Sequence, residues 1–184
     1  PIDHAKIGEI HKALKAKLCN ISIIGMPSSG KTTIGKALAE KLGKTFVDLD
    51  EEIVHRAGKS IPDIFAQEGE AAFRRLETEA AAEAAKHTGQ VISCGGGIVK
   101  TPGNARLLRQ NGPVLWIRRP LEALTVGGGR PLSSSREALE KMEAERLPLY
   151  RAATDGIVEN SGSLEQAITA AEEVFYEILD SERA

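Results

Sequence analysis

The chain has 184 residues, 41% of them apolar and 27% charged, with a formal net charge of −2. These are the proportions of one globular domain long enough to enclose a core, and the near-neutral balance argues against a nucleic-acid binder, which carries a basic excess. No apolar run approaches the roughly 18–20 residues of a membrane helix and no signal peptide is visible, so a cytoplasmic protein without nucleic-acid or membrane partners is expected.

The first residue is Pro1 rather than Met, which suggests processing, or excision from a longer protein. Residues 1–18 stand apart. Ile7, Ile10, Leu14 and Leu18 recur at spacings of three, four and four, one apolar helical stripe. The expectation is an extra helix that packs on the domain or links it to an upstream one, with the domain proper over 19–184. Strands are predicted at Asn20–Ile24, Thr45–Asp48, Gln90–Cys94, Pro113–Ile117 and Gly156–Glu159, with helices at Thr32–Leu42, Glu70–His87 and Leu164–Leu179. Helix punctuation agrees: Ser60 precedes Pro62 at a first-turn position, Ser163 and Gln166 have capping-box spacing, and Gly43 and Gly89 stand where helices should end. Alternating strands and helices give a three-layer α/β fold with a five-stranded parallel sheet. Cys19 and Cys94 are far apart, lack metal-ligand spacing and read as buried, reduced thiols.

The most specific local signal is Gly25-Met26-Pro27-Ser28-Ser29-Gly30-Lys31-Thr32, a phosphate-binding P-loop of the form G-x-x-x-x-G-K-[ST]. It follows an apolar strand and opens a helix, the context the motif requires. Loop N–H groups and the helix N-terminus converge on an anion, Lys31 can reach the β- and γ-phosphates, and the Thr32 hydroxyl can ligate Mg²⁺. ATP is thus expected on Gly25, Pro27, Ser28, Ser29, Gly30, Lys31, Thr32 and Thr33. Asp48 and Asp50 close the next strand at alternate positions and could face one cleft, if the extended backbone persists. One could hold a metal-bound water and the other a substrate hydroxyl; alternatively, one of them caps the helix that follows.

Further motifs succeed these in order: Phe65 in an Ile-Phe-Ala run, Gly69-Glu70-Ala71-Ala72-Phe73-Arg74-Arg75-Leu76-Glu77, Gly95-Gly96-Gly97, Arg130-Pro131-Leu132 and Glu145-Arg146-Leu147-Pro148-Leu149-Tyr150. Together, over about residues 20–179, they resemble shikimate kinase. The resemblance implies ATP-dependent phosphorylation of shikimate at its 3-hydroxyl, in aromatic amino-acid (chorismate) biosynthesis. It implies Asp48 beside Mg²⁺, with Thr32 as the other metal-site residue. Asp50 would bind the shikimate hydroxyls and help deprotonate the attacking one. Arg74 and Arg146 would bind the substrate carboxylate, with Glu77 as structural partner of Arg74. Gly95, Gly96 and Gly97 would form the turn at the ring and the γ-phosphate, Phe65 and Phe73 the apolar wall. Arg130 would be the catalytic arginine of a lid over about 121–136. Arginine suits these roles because its planar fork pairs bidentately with a carboxylate.

The sequence departs from the family pattern in three places. Ser28 stands where the family usually has glycine. The lid is short and lacks the arginine that packs on adenine, for which Arg118 and Arg119 are the nearby replacements. The helix over 1–18 is extra and fits a C-terminal piece of a fusion with another enzyme of the pathway. Competing readings are a kinase acting on gluconate or a nucleoside monophosphate, a nucleotide switch without catalysis, and a structural domain of a larger enzyme.

Overall fold

The computed structural model describes residues 4–126 and 135–181. Five strands, β1 Ile21–Ile24, β2 Thr45–Asp48, β3 Gln90–Ser93, β4 Val114–Arg118 and β5 Gly156–Glu159, form one sheet in the order β2-β3-β1-β4-β5. Every pairing among them is parallel. The expected strands are all present, with boundaries moved by at most one residue.

Alternation along the central strand builds two cores. Ile21 and Ile23 point to one face, where α2 (Lys31–Leu42) and α7 (Leu164–Ser181) bring Ile34, Leu38, Ala171 and Phe175. Ile24 points to the other face, where α3 (Leu49–Ala57), α4 (Ile61–Ala84) and α6 (Arg136–Ala153) bring Ile53, Ile64, Phe73, Leu139 and Tyr150. A short helix, α5 (Asn104–Leu108), joins β3 to β4. Burying side chains of this size contributes about 1.5–3 kcal/mol each.

The helix punctuation acts as read. Ser60 accepts from the Asp63 N–H, Gly43 closes α2 in the left-handed conformation, and Ser163 and Gln166 bond reciprocally. The expected helix Glu70–His87 is the second part of α4, which begins at Ile61 and is interrupted at Gly69 (φ 82°) before ending at Ala84. Gly89 does take a left-handed φ of 70°, but it lies beyond the helix end, at the entry to β3.

A further helix precedes the sheet: α1, His4–Leu18. Its C-terminal end is tied down, because Lys44 Nζ donates to the carbonyls of Ala16, Lys17 and Cys19 at 2.7, 3.1 and 2.5 Å. Lys12 also pairs with Asp180 at 2.5 Å. The apolar stripe does not pack on the domain as expected: Ile7, Ile10, Leu14 and Leu18 stay 52, 61, 52 and 47% exposed. Gly8, Lys12, Lys15 and Ala16 occupy the half-buried face instead. Cys19, expected to be buried, is half-buried at the junction, while Cys94 is buried; both are free thiols. Burial pushes the Cys94 thiol far above its usual range, as suits an unreactive side chain.

At the turn into β4, a methyl group on Gly112 would fall on the backbone oxygen of Asn20, whose N–H bonds Asn111 O at 2.7 Å. Neither backbone can yield without loosening the start of β1. Gly112→Ala is therefore expected to cost at least about 3 kcal/mol, lowering Tm by about 6–12 °C in a thermal melt.

Candidate active site

The site lies at the C-terminal ends of β1, β2 and β3, where α/β sheets bind ligands. A cavity of about 410 Å³ opens there, lined by Pro27, Ser28, Gly30, Lys31, Thr32 and Thr33 on one side and by Asp48, Asp50, Phe65, Phe73, Arg74, Gly95, Gly96, Gly97 and Arg146 elsewhere. Ile61, Glu77, Ser93, Cys94, Arg119 and Met142 complete the wall. The predicted residues are thus brought together, apart from Gly25 and Ser29, which sit buried behind the loop. Arg130 and the lid residues 127–134 fall outside the described residues.

The loop runs from the end of β1 into α2. Gly25 is pressed against the Ile117 carbonyl of β4, to which a Cβ would come within 2.5 Å. Ser28 takes a left-handed φ of 63°, at a cost of about 1–2 kcal/mol for a side chain there, which gives the physical reason glycine suits this position. Asn160, at the end of β5, donates to Ser29 O at 2.8 Å and braces the loop. Lys31 is only 8% exposed, and its ammonium donates to the carbonyls of Gly25 (2.9 Å) and Met26 (2.7 Å).

The two aspartates are not alternate strand residues. β2 stops at Asp48, and α3 begins at Leu49. Asp48 is the N-cap, its Oδ1 accepting from the Asp50 and Glu51 N–H groups at 3.0 and 3.4 Å, while its Oδ2 accepts from the Thr32 hydroxyl at 3.2 Å. Capping and site-facing roles therefore coexist in one side chain. Asp50 reaches the same cavity from the first turn of α3, where the helix dipole favours a carboxylate.

Beyond them lies an acid–base cluster under the glycine turn. Arg74 Nη1 donates to Glu77 Oε2 at 2.8 Å, and its Nε and Nη2 donate to Glu70 Oε1 at 3.3 and 3.1 Å. Glu77 is 1% exposed; burial pushes its carboxyl up to about 7, against the opposing pull of Arg74. Arg146 is 3% exposed. Tyr150 donates to Gly96 O at 2.5 Å and pins the turn. A Cβ on Gly95 would stand 2.8 Å from Asp50 Oδ1 and 3.0 Å from Glu77 Oε1, and one on Gly96 would stand 3.2 Å from Arg146 Nη1. One on Gly97 would fall on the Arg74 guanidinium itself. The missing side chains are what let the charged groups close on the turn. Phe65 and Phe73 stack tilted at 4.8 Å, and Arg74 lies 5.2 Å over the Phe73 ring.

Of the two arginines after β4, Arg118 turns away: it pairs with Glu159 and lies 5.9 Å over Trp116. Arg119 instead lines the cavity, and no ion pair among the described residues claims it. Sequence reasoning missed the bracing by Asn160 and Tyr150 and the wall residues Met142 and Ile61. Their partners are distant in the chain and carry no local motif.

Comparison with known proteins bears on this constellation. A family model described as shikimate kinase matches residues 27–181. Shikimate kinase of Stenotrophomonas maltophilia is 44% identical over 143 residues, covering 74% of this chain and 79% of the relative. That of Nitrosomonas europaea is 42% identical over 150 residues, covering 78% and 71%. The solved structure of shikimate kinase from Acinetobacter baumannii in complex with shikimate superposes with a TM-score of 0.82 at 32% identity, over 94% of this chain and 99% of that one.

Proposed function

The chain belongs to the shikimate kinase family, and from that premise we propose that it transfers the γ-phosphate of ATP to the 3-hydroxyl of shikimate, giving shikimate 3-phosphate and ADP. The observation that carries the reading is one cavity with a P-loop on one wall and two arginines, a carboxylate and a glycine turn on the other. Lys31, with the loop N–H groups, would hold the phosphates; Arg74 and Arg146 would grip the carboxylate; Phe65 and Phe73 would shield the ring. Asp50 would accept a hydrogen bond from the attacking hydroxyl and draw off its proton. Positioning and charge neutralisation supply most of the catalysis in phosphoryl transfer.

The Thr32 hydroxyl and the Asp48 carboxylate, 3.2 Å apart, are hard oxygen donors of the kind Mg²⁺ takes alongside phosphate and water. Mg²⁺ there would offset phosphate charge. The role of the lid arginine, Arg130, rests on the family resemblance. A place in chorismate biosynthesis, in the cytoplasm, goes with this activity. We read residues 1–18 as an added helix and 19–184 as the kinase domain, with an upstream domain of the same pathway as the neighbour its uncovered stripe would suit. Among the described residues no helix is long and apolar enough to cross a membrane.

Arg119 is assigned the nucleotide contact that the short lid lacks. Arg119→Ala is expected to raise the KM for ATP about tenfold, the worth of one charge-assisted contact, with the KM for shikimate unchanged. Steady-state kinetics with each substrate varied decides it; an equal rise in both constants removes the assignment.

The test of the activity is ADP release from ATP·Mg²⁺ with shikimate, quinate, gluconate, cytidylate or no acceptor. Release with shikimate alone is expected. Release with gluconate or cytidylate instead would retain a kinase and discard the acceptor.

A further inference from the structure

Glu77 is the least solvated acid in the cavity wall. One of its oxygens is held by Arg74, and the other, Oε1, is buried without a hydrogen-bond partner among the described residues. That oxygen lies under Gly95, as does Asp50 Oδ1. The groups facing Glu77 come from four elements: Arg74 on its own helix α4, Asp50 from α3, Arg146 and Tyr150 from α6, and Cys94 at the end of β3. All three side-chain nitrogens of Arg74, meanwhile, are already engaged within the protein. Its fork is divided between Glu77 and Glu70, and Glu70 is shared in turn with Lys100 at 3.1 Å.

An acid substrate brings another carboxylate to this cluster. If Arg74 and Arg146 receive it, two arginines must serve the incoming anion together with Glu77 and Asp50, in a wall where Glu77 and Arg146 are only 1 and 3% exposed. A low-dielectric site does not tolerate that excess negative charge; the cheapest relief is a proton on the most buried acid. We propose that Glu77 is a proton-coupled positioning residue: it takes up a proton as the substrate carboxylate binds, and so releases the Arg74 fork to the substrate.

This rests on the reading of shikimate as acceptor, and the consequence separates the two. The linkage has a definite sign. The Glu77 carboxyl is already pushed up to about 7, and a bound anion pushes it higher, so uptake occurs above that value and vanishes well below it. Shikimate, like other carboxylic acids, stays ionised across this range. Calorimetric titration of shikimate into the protein at about pH 8, in buffers of differing ionisation enthalpy, is expected to show uptake approaching about one proton per molecule bound. At about pH 5.5 the buffer dependence should disappear, and in Glu77→Gln it should be absent at both values.

Binding without buffer dependence at the higher pH overturns the proposal and leaves the kinase reading intact. Equal uptake in Glu77→Gln and the wild type overturns it too, because another group then carries the proton. Should Glu77→Gln fail to fold, the infrared difference spectrum of the wild type on shikimate binding at about pH 8 decides: a new protonated-carboxyl C=O band is expected, and its absence refutes the assignment. Absence of any shikimate binding, together with no shikimate-dependent ADP release, tells against the kinase reading itself.

Discussion

Lys31→Ala is expected to lose at least about 10³-fold in kcat for shikimate-dependent ADP release, in line with removing a preorganised charge from a transferring phosphoryl group. The fold should survive. Lys31 Nζ satisfies the carbonyls of Gly25 and Met26, both buried, so its removal leaves acceptors whose exposure to vacancy costs about 1–3 kcal/mol. In a chain of this length that lowers Tm by about 2–12 °C, with secondary structure unchanged by circular dichroism at 25 °C. Wild-type turnover in the variant would remove the P-loop from the chemistry.

Arg74→Ala should raise the KM for shikimate by about 10²-fold while the KM for ATP moves less than about threefold, the loss typical of truncating one partner of a buried charge-assisted pair. Its stability cost depends on pH. Truncation strips Glu77 of its counter-charge, for which a buried acid that stays ionised is destabilised by about 3–5 kcal/mol. Arg74 is the strongest influence holding the Glu77 carboxyl down, so without it the carboxyl rises further and keeps its proton near neutrality. The sign follows: a folded acid held above the unfolded value of 4.5 binds a proton that the unfolded chain releases. Its contribution to stability is present at low pH and is lost as pH rises through the folded value. Arg74→Ala should therefore sit closest to the wild type in melts near pH 6 and fall furthest behind near pH 9. A larger rise in the KM for ATP than for shikimate would show the role of Arg74 to be wrong.

What the sequence disclosed was local. The P-loop, the caps at Ser60 and Ser163 and the short apolar strands depend on neighbours a few residues apart, and each stands where its pattern implied. Asp48 and Asp50 illustrate the limit. Whether a strand persists for two more residues is decided by the N–H groups of Asp50 and Glu51, which the Asp48 side chain captures. The stripe on α1 shows another. Periodicity identifies an apolar face but not its destination, and here Lys44 fixes the helix by its last carbonyls, leaving that face outward. The braces from Asn160 to the loop and from Tyr150 to the turn span 131 and 54 residues. No pattern within either segment encodes such a meeting.

The glycine turn constrains what this protein can become. None of Gly95, Gly96 and Gly97 has a positive φ, and Gly97 sits at −97°, so the backbone itself would accept other residues. It is the arginines and acids pressed around the turn, with Pro27 against Gly96, that exclude them. A descendant that gained a side chain at position 97 would have to surrender the present place of Arg74 in the same step. Its acceptor and its turn are thus inherited as one character, and the paths open to a new acceptor run through the phenylalanine wall instead.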